Sequence, residues 1–275
     1  MYKLIAIDLD DTLLADDLSI PVENINSLKA AKERGVYVVL CSGRESASMR
    51  RIMEKTNLFE DKDYFISYNG AFVQSIGGEV IWKDKIEAED LKKFIAIGRK
   101  HKILTQCYCD SLVVEEENPR INKYESATGI IGKKIEDLMT LPYSIKLLFN
   151  SLDKEELEAL HQDLIREFGE EYHYFYSKPE YLEVLFKTSN KGLAVEHLAN
   201  HLGLKAEEII CIGDSFNDSY MIEYAGLGVA MKNANPKVKE IADYVTEKNN
   251  NKAGVAEVVE KFILNDGNEE NSTRA

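Results

Sequence analysis

Apolar runs without polar alternation constrain this chain more than any other feature. "YKLIAID" and "VYVVLCSG" lie near its start, and "EEIICIGD" and "LGVAM" lie beyond residue 205. Such continuous runs suit strands of a parallel sheet covered on both faces, where no position of the strand meets water. Between the early runs stand two helical patterns, "PVENINSLKAAKERG" and "SMRRIMEKTN". Pro21 at the first turn of one and Gly35 just past its end are ordinary start and stop signals. The order is βαβα, and the predicted fold class is α/β with a Rossmann-like parallel-sheet core.

The rhythm changes near Lys83. From Ile86 to about Lys187 come a helix ("EDLKKFIAIGRKH"), alternating strands ("ILTQCYCDSLVVEE"), a second long helix ("KEELEALHQDLIREFG") and further strands ("EYHYFYS", "YLEVLF"). Strands and helices grouped this way suggest an α+β module. The α/β rhythm then resumes at "NKGLAVEHLANHLG". The expected division is a core of residues 1–84 and 188–275 with an inserted α+β cap of residues 85–187 that carries substrate specificity. The tail "NDGNEENSTRA" reads as disordered.

Composition narrows the function classes. Hydrophobic residues make up 44% and charged residues 30%, values of a globular chain. No apolar run approaches the ~20 residues needed to span a bilayer, and "MYKLIAIDLD" lacks the form of a signal peptide. A cytoplasmic location is therefore expected. The formal net charge of −14 argues against nucleic acid or an anionic membrane as partner, so an anionic substrate must meet a local positive site. Oligomeric state is not legible. Cys41, Cys107, Cys109 and Cys211 show no C-x-x-C spacing and read as buried free thiols.

Asp8 and Asp10 leave the first strand at its carboxyl end, the ligand-binding edge of an open α/β sheet. A calcium loop begun at Asp8 fails, because Leu13 stands where glycine is needed and Ser19 where the bidentate glutamate belongs. Capping and turn formation account for Asp11, Asp16 and Asp17, but not for Asp8 and Asp10. The second strand ends in "CSGRES", which offers a hydroxyl and backbone N–H groups to a phosphate oxygen, or forms an ordinary turn. Lys191 opens a helix, where a cation opposes the helix dipole; it is either exposed or paired with anions from elsewhere. Asp214, Asn217 and Asp218 follow another buried strand, and acids at two strand ends are what a divalent cation bridges. His197 and His201 have i, i+4 spacing but lack the H-E-x-x-H order of a zinc helix, and "GLGVAM" lacks the third glycine of a dinucleotide loop.

Four segments thus stand in chain order: "DLDDT", "CSGR", "NKG" and "GDSFND". Together they resemble the motifs of the haloacid dehalogenase superfamily of phosphatases. The insert between the second and third motifs resembles the type-II cap of the Cof-type branch, and "ISYNGA" at residues 66–71 is similar to a segment that branch carries before its cap. One departure is "FKTSNKG", where the family tends toward a Pro-Lys-Gly-Val type stretch; Thr188 makes this hinge stiffer.

The resemblance implies a magnesium-dependent phosphatase acting on small-molecule phosphomonoesters, such as sugar phosphates, through an aspartyl-phosphate intermediate. In that reading Asp8 is the nucleophile and Asp10 the general acid and base. Mg2+ sits between Asp8, the main-chain carbonyl of Asp10 and Asp214. The Leu9 and Gly43 amides, Ser42, Lys191 and Asn217 hold the phosphoryl oxygens. Arg44 and Asn69 support the site, and Asp218 orients Lys191 or a metal-bound water. A phosphomutase using the same intermediate, or a phospho-switch protein, are the alternatives.

Overall fold

The computed structural model describes residues 1–109, 111–115 and 119–265; apart from Asn265, the tail read as disordered lies outside the described residues. In chain order the elements are β1 (Leu4–Asp8), α1 (Val22–Glu33), β2 (Tyr37–Cys41), α2 (Ser46–Thr56), β3 (Tyr64–Ser67), β4 (Phe72–Ser75) and β5 (Val80–Lys83). There follow β6 (Ile86–Glu87), α3 (Ala88–Lys100), β7 (Leu104–Tyr108), β8 (Leu112–Val114), α4 (Pro119–Thr128), β9 (Lys133–Lys134), β10 (Tyr143–Ser144), β11 (Lys146–Asn150), α5 (Lys154–Phe168), β12 (Tyr172–Lys178) and β13 (Tyr181–Phe186). The chain closes with α6 (Lys191–Leu202), β14 (Ile209–Gly213), α7 (Ser219–Tyr224), β15 (Leu227–Ala230), α8 (Pro236–Ile241), β16 (Tyr244–Val245) and α9 (Gly254–Val259). Two compact units result. One holds Met1–Arg44, Met49–Trp82 and the chain from Asn190 onward; the other holds Glu45–Ser48 and Lys83–Ser189.

The first unit is built on an eight-stranded sheet ordered β16-β15-β14-β1-β2-β3-β4-β5. Neighbours from β16 through β3 are parallel, and β4 turns back antiparallel on β3. β1 lies between β14 and β2, with Leu4–Ile7 in register with Ile209–Ile212. Chain order runs outward in both directions from the β1/β14 pair. This is the switch point of an open parallel sheet, where a crevice forms at the carboxyl ends of the strands.

Both faces of this sheet are covered at its centre, which is why β1 up to Ile7, β2 and β14 are apolar at successive positions. Ile5, Ile7, Val38, Leu40, Ile210 and Ile212 enter one buried layer with Leu28 of α1, Met53 of α2 and Val258 of α9. Leu4, Ala6, Val39, Cys41, Ile209 and Cys211 enter the opposite layer with Val195 and Leu198 of α6 and Met221 of α7. Burying each large aliphatic side chain stabilises by roughly 1.5–3 kcal/mol, so a polar residue at any of these positions would be costly. The paired histidines do not converge on one point: His197 stacks on Trp82 with ring centroids 3.8 Å apart, while His201 meets Tyr64 edge to face.

The second unit carries a six-stranded sheet, β12-β13-β11-β7-β8-β9, antiparallel except for β8 beside β9, together with the short pair β10-β6. One face is apolar: Cys107, Leu147, Phe149, Leu182 and Val184 join Phe94 of α3 and Leu157, Leu160 and Leu164 of α5. Asp153 caps α5 by accepting the N–H groups of Glu155 and Glu156. The two ends of the insert are tied to each other. Thr188 Oγ1 and Ser189 Oγ both donate to Asp84 Oδ2, at 3.1 and 2.8 Å. This is the α/β core with an inserted α+β unit that the apolar runs predict.

Candidate active site

The site begins with a lysine in an unfavourable place. Lys191 is the first residue of α6, a helix capped by Asn190, whose Oδ1 accepts the Leu193 N–H at 2.9 Å. A cation there opposes the helix dipole, and Lys191 is also completely buried. Two carboxylates compensate. Its Nζ donates to Asp8 Oδ1 at 2.5 Å and to Asp218 Oδ1 at 2.6 Å. The second oxygen of Asp218 accepts the backbone N–H groups of Asp214 and Ser215, each at 3.0 Å. Of the two sequence readings of Lys191, exposed or paired, the structure shows the paired one.

Asp8 ends β1 and Asp214 follows β14, so the adjacency of these strands brings both acids to one place. Asp8, Asp214 and Asp218 each present an oxygen within 4.8 Å of the others. Burial raises the Asp8 pKa well above the usual carboxylate range; Lys191 opposes this, and Asp218 and Asp214 add to it. Asp214 is pushed up to about 6, first by burial and then by Asp218, against the hydroxyl of Thr12, which donates to its Oδ1 at 2.9 Å. Burial works against the Lys191 charge, but Asp8 and Asp218 outweigh it and raise its pKa. Lys191 can balance only one of three clustered carboxylates. A set of hard oxygen donors short of positive charge fits a small divalent cation such as magnesium.

A second network surrounds Asp10. Its carboxylate is half exposed and is gripped by Arg44, with Nε donating to Oδ2 at 2.9 Å and Nη2 to Oδ1 at 2.5 Å. That hydrogen bonding raises the Arg44 pKa against the effect of its partial burial. Main-chain bonds hold the end of β2 to the turn after β3: Asn69 N–H donates to the Ser42 carbonyl and Tyr68 N–H to the Arg44 carbonyl, both at 3.0 Å. The Asn69 side chain then reaches the loop after β14, accepting from Asn217 Nδ2 at 3.0 Å. Gly43 lies so close that a Cβ there would meet Asn69 Oδ1 at 2.9 Å.

The "ISYNGA" segment explains this seating. Tyr68, Asn69 and Gly70 have successive φ values of 53°, 53° and 100°. For the two non-glycine residues this costs of order 1 kcal/mol or more each. At Gly70 a Cβ would fall on the main-chain carbonyl of Asn190, the residue before Lys191.

The predicted site residues therefore fall into two groups. Asp8, Lys191, Asp214 and Asp218 form the buried cluster, while Asp10, Arg44, Ser42, Gly43, Asn69 and Asn217 line the network beside it; Leu9, between Asp8 and Asp10, has its side chain in the core. Sequence reading missed Thr12. Its signal lay in the last letter of "DLDDT", a hydroxyl two residues beyond the second acid.

Comparison with known proteins gives the same outline. The family model of haloacid dehalogenase-like hydrolases matches residues 5–259. The Bacillus subtilis protein YxeH, provisionally named a phosphatase, is 37% identical over 272 residues, covering 96% of this chain and 99% of YxeH. YcsE of the same organism, named as a 5-amino-6-(5-phospho-D-ribitylamino)uracil phosphatase, is 30% identical, with 95% of this chain and 96% of YcsE covered. The crystal structure of TM0651 from Thermotoga maritima superposes with a TM-score of 0.87 at 35% identity, covering 95% of this chain and 97% of that one. With a match that reaches from β1 into α9 and takes in every motif quoted above, the chain belongs to the haloacid dehalogenase-like hydrolases.

Proposed function

We propose that this hydrolase is a magnesium-dependent phosphatase of small-molecule phosphomonoesters that works through an aspartyl-phosphate on Asp8. The observation that carries the reading is the fully buried Lys191 held between Asp8 and Asp218, at the end of the strand that delivers the nucleophile. The phosphatase names of its relatives support it. No helix among the described residues is long and apolar enough to cross a membrane, and we place the enzyme in the cytoplasm.

Asp8 attacks phosphorus through a carboxylate oxygen, and its charge must approach a phosphate dianion. At about 4 Å, each such pair of like charges costs about 4 kcal/mol at an effective dielectric near 20. Lys191, immobilised by Asp218, presents its ammonium where that repulsion is greatest. The main-chain amides of Leu9 and Gly43, with Ser42 and Asn217, bind the phosphoryl oxygens. Asp8 and Asp214, with the main-chain carbonyl of Asp10, would hold the magnesium ion, which when bound would supply positive charge to the transferring phosphoryl group. Asp10 protonates the leaving alcohol and then takes a proton from the attacking water. Both of its oxygens are engaged by Arg44 here, so the guanidinium must yield one of them for either transfer.

The test is Asp8→Asn, which keeps size and removes the nucleophilic charge. Phosphate release from 4-nitrophenyl phosphate with magnesium is expected to vanish while far-UV circular dichroism is unchanged. In the parent, a rapid quench is expected to leave a phosphoryl group on the peptide containing Asp8. Release at the parent rate by the variant would end the covalent mechanism.

A further inference from the structure

Two successive residues other than glycine in the left-handed region are uncommon, and the first unit holds such a pair at Tyr68 and Asn69, in the turn between β3 and β4. Strain of this kind persists only where the surroundings over-determine it, and it concentrates at functional sites. Here the surroundings are other segments of the site. The main-chain N–H groups of Tyr68 and Asn69 donate to the carbonyls of Arg44 and Ser42, and a Cβ on Gly70 would stand 2.2 Å from the carbonyl oxygen of Asn190. The turn is thus seated between the end of β2 and the start of α6 by its backbone alone.

The Asn69 side chain is placed just as narrowly. Its amide packs on Gly43, where a Cβ would lie 2.9 Å from Oδ1 and 3.1 Å from Nδ2, so a side chain at 43 would displace it. Asn69 Oδ1 accepts from Asn217 Nδ2 at 3.0 Å, and Ser215 Oγ donates to Asn217 Oδ1 at 2.7 Å. These two bonds decide which way round the Asn217 amide sits. Asn217 is exposed, and an exposed amide is otherwise free to turn over. With its oxygen engaged by Ser215 and one N–H by Asn69, its second N–H has no partner among the described residues. An amide turned over would offer an acceptor to an anion where a donor is needed.

We infer that Asn69 is a positioning residue, which acts through Asn217 by fixing its amide so that an N–H group meets the phosphoryl oxygens. The strained turn is the means of bringing the Asn69 side chain there. The inference rests on the phosphatase reading, in which Asn217 binds the transferring group.

The experiment uses the full-length protein and Asn69→Gly. Glycine takes the left-handed conformation without strain and keeps the main-chain N–H, so the side-chain amide alone is lost. Relief of strain and the greater freedom of the unfolded chain oppose each other, and the melting temperature is expected to stay within about 4 °C of the parent's. The kcat/KM for 4-nitrophenyl phosphate is expected to fall by roughly 10- to 100-fold. Inorganic phosphate, titrated calorimetrically with magnesium present, reads the same contact without turnover, and its affinity should fall as well. Asn217→Ala should lose at least as much, and the double variant no more than Asn217→Ala alone, because both changes remove one contact. A merely structural role predicts the opposite: the melting temperature would fall with the activity, and the two losses would multiply. Either of those results, or parental kcat/KM and phosphate affinity in Asn69→Gly, overturns the inference. If the parent hydrolyses no ester, yet its phosphate affinity depends on Asn69 only while Asn217 is present, the phosphatase reading fails and the positioning role stands. If the parent is a phosphatase and Asn69→Gly changes neither quantity, the positioning role fails and the phosphatase reading stands. A parent that neither hydrolyses esters nor binds phosphate ends both.

Discussion

Lys191 shows what one buried charge demands of its neighbours. With two carboxylates beside it the ammonium is compensated; without it, Asp8 and Asp218 are buried against each other. Lys191→Met should therefore abolish turnover and also destabilise the metal-free protein by about 3–5 kcal/mol, the usual effect of removing one partner from a buried ion pair. Urea unfolding with and without magnesium measures this, and added magnesium should recover part of the loss. Asp214 adds a pH dependence. Its folded pKa of about 6 lies above the ordinary value, so its contribution to stability is fully present below the ordinary carboxylate range and is lost as pH rises through 6. The metal-free protein should accordingly lose stability between pH 4 and 7 at this group. A cation needs the ionised form, so magnesium affinity should rise over the same interval with release of a proton. Titration calorimetry in buffers of different ionisation enthalpy reads that proton directly, and an affinity independent of pH would rule the coupling out.

At the scale of elements, the ends of the insert carry the next prediction. A β-branched residue at 188 predicts stiffness from side-chain shape alone, but the structure adds a tether: Thr188 and Ser189 share the Asp84 carboxylate. The two causes separate experimentally. Thr188→Val keeps the branching and deletes the hydroxyl, whereas Thr188→Gly deletes both. If the tether matters, both variants should change kcat and KM together, and Asp84→Ala should exceed either while costing about 2 kcal/mol in a thermal melt. A Thr188→Val enzyme with parental kinetics would leave branching as the cause.

The tether also marks where sequence reading stops. The layered α/β core was legible because Leu4–Ile7, Val38–Cys41 and Ile209–Ile212 are apolar at successive positions, a pattern only a doubly covered strand tolerates. The α+β character of the insert was legible from the change of periodicity at Ile86. Asp84, by contrast, reads as an ordinary loop acid, because nothing local tells that two hydroxyls more than a hundred residues later in the chain will reach it.

For the molecule as a whole, the dominant number is a formal net charge of −14. Phosphate esters are anions too, so long-range forces oppose their approach, and attraction begins only within the reach of local positive groups. Salt screens this repulsion over about 10 Å at 0.1 M. Raising ionic strength with an inert salt should thus lower KM for an anionic ester and leave kcat little changed, the reverse of an enzyme that steers its substrate electrostatically. Initial rates at several salt concentrations and constant free magnesium decide the sign.

The sheet order has a consequence for how the protein is made. β1 leaves the ribosome among the first residues, yet one of its two neighbours, β14, is among the last strands to be synthesised. At roughly 5–20 residues per second, the nascent chain holds an unpartnered β1 edge, apolar from Leu4 to Ile7, for on the order of ten seconds or more. During that interval Lys83–Ser189 is already complete as a contiguous stretch, whereas Asp8 still lacks the lysine that makes its burial tolerable and the acids that complete its cluster. An open strand edge invites pairing with other chains. A chain stalled or truncated before Ile209 should therefore be caught by chaperones or aggregate, and the enzyme acquires its chemistry only in the last moments of its synthesis.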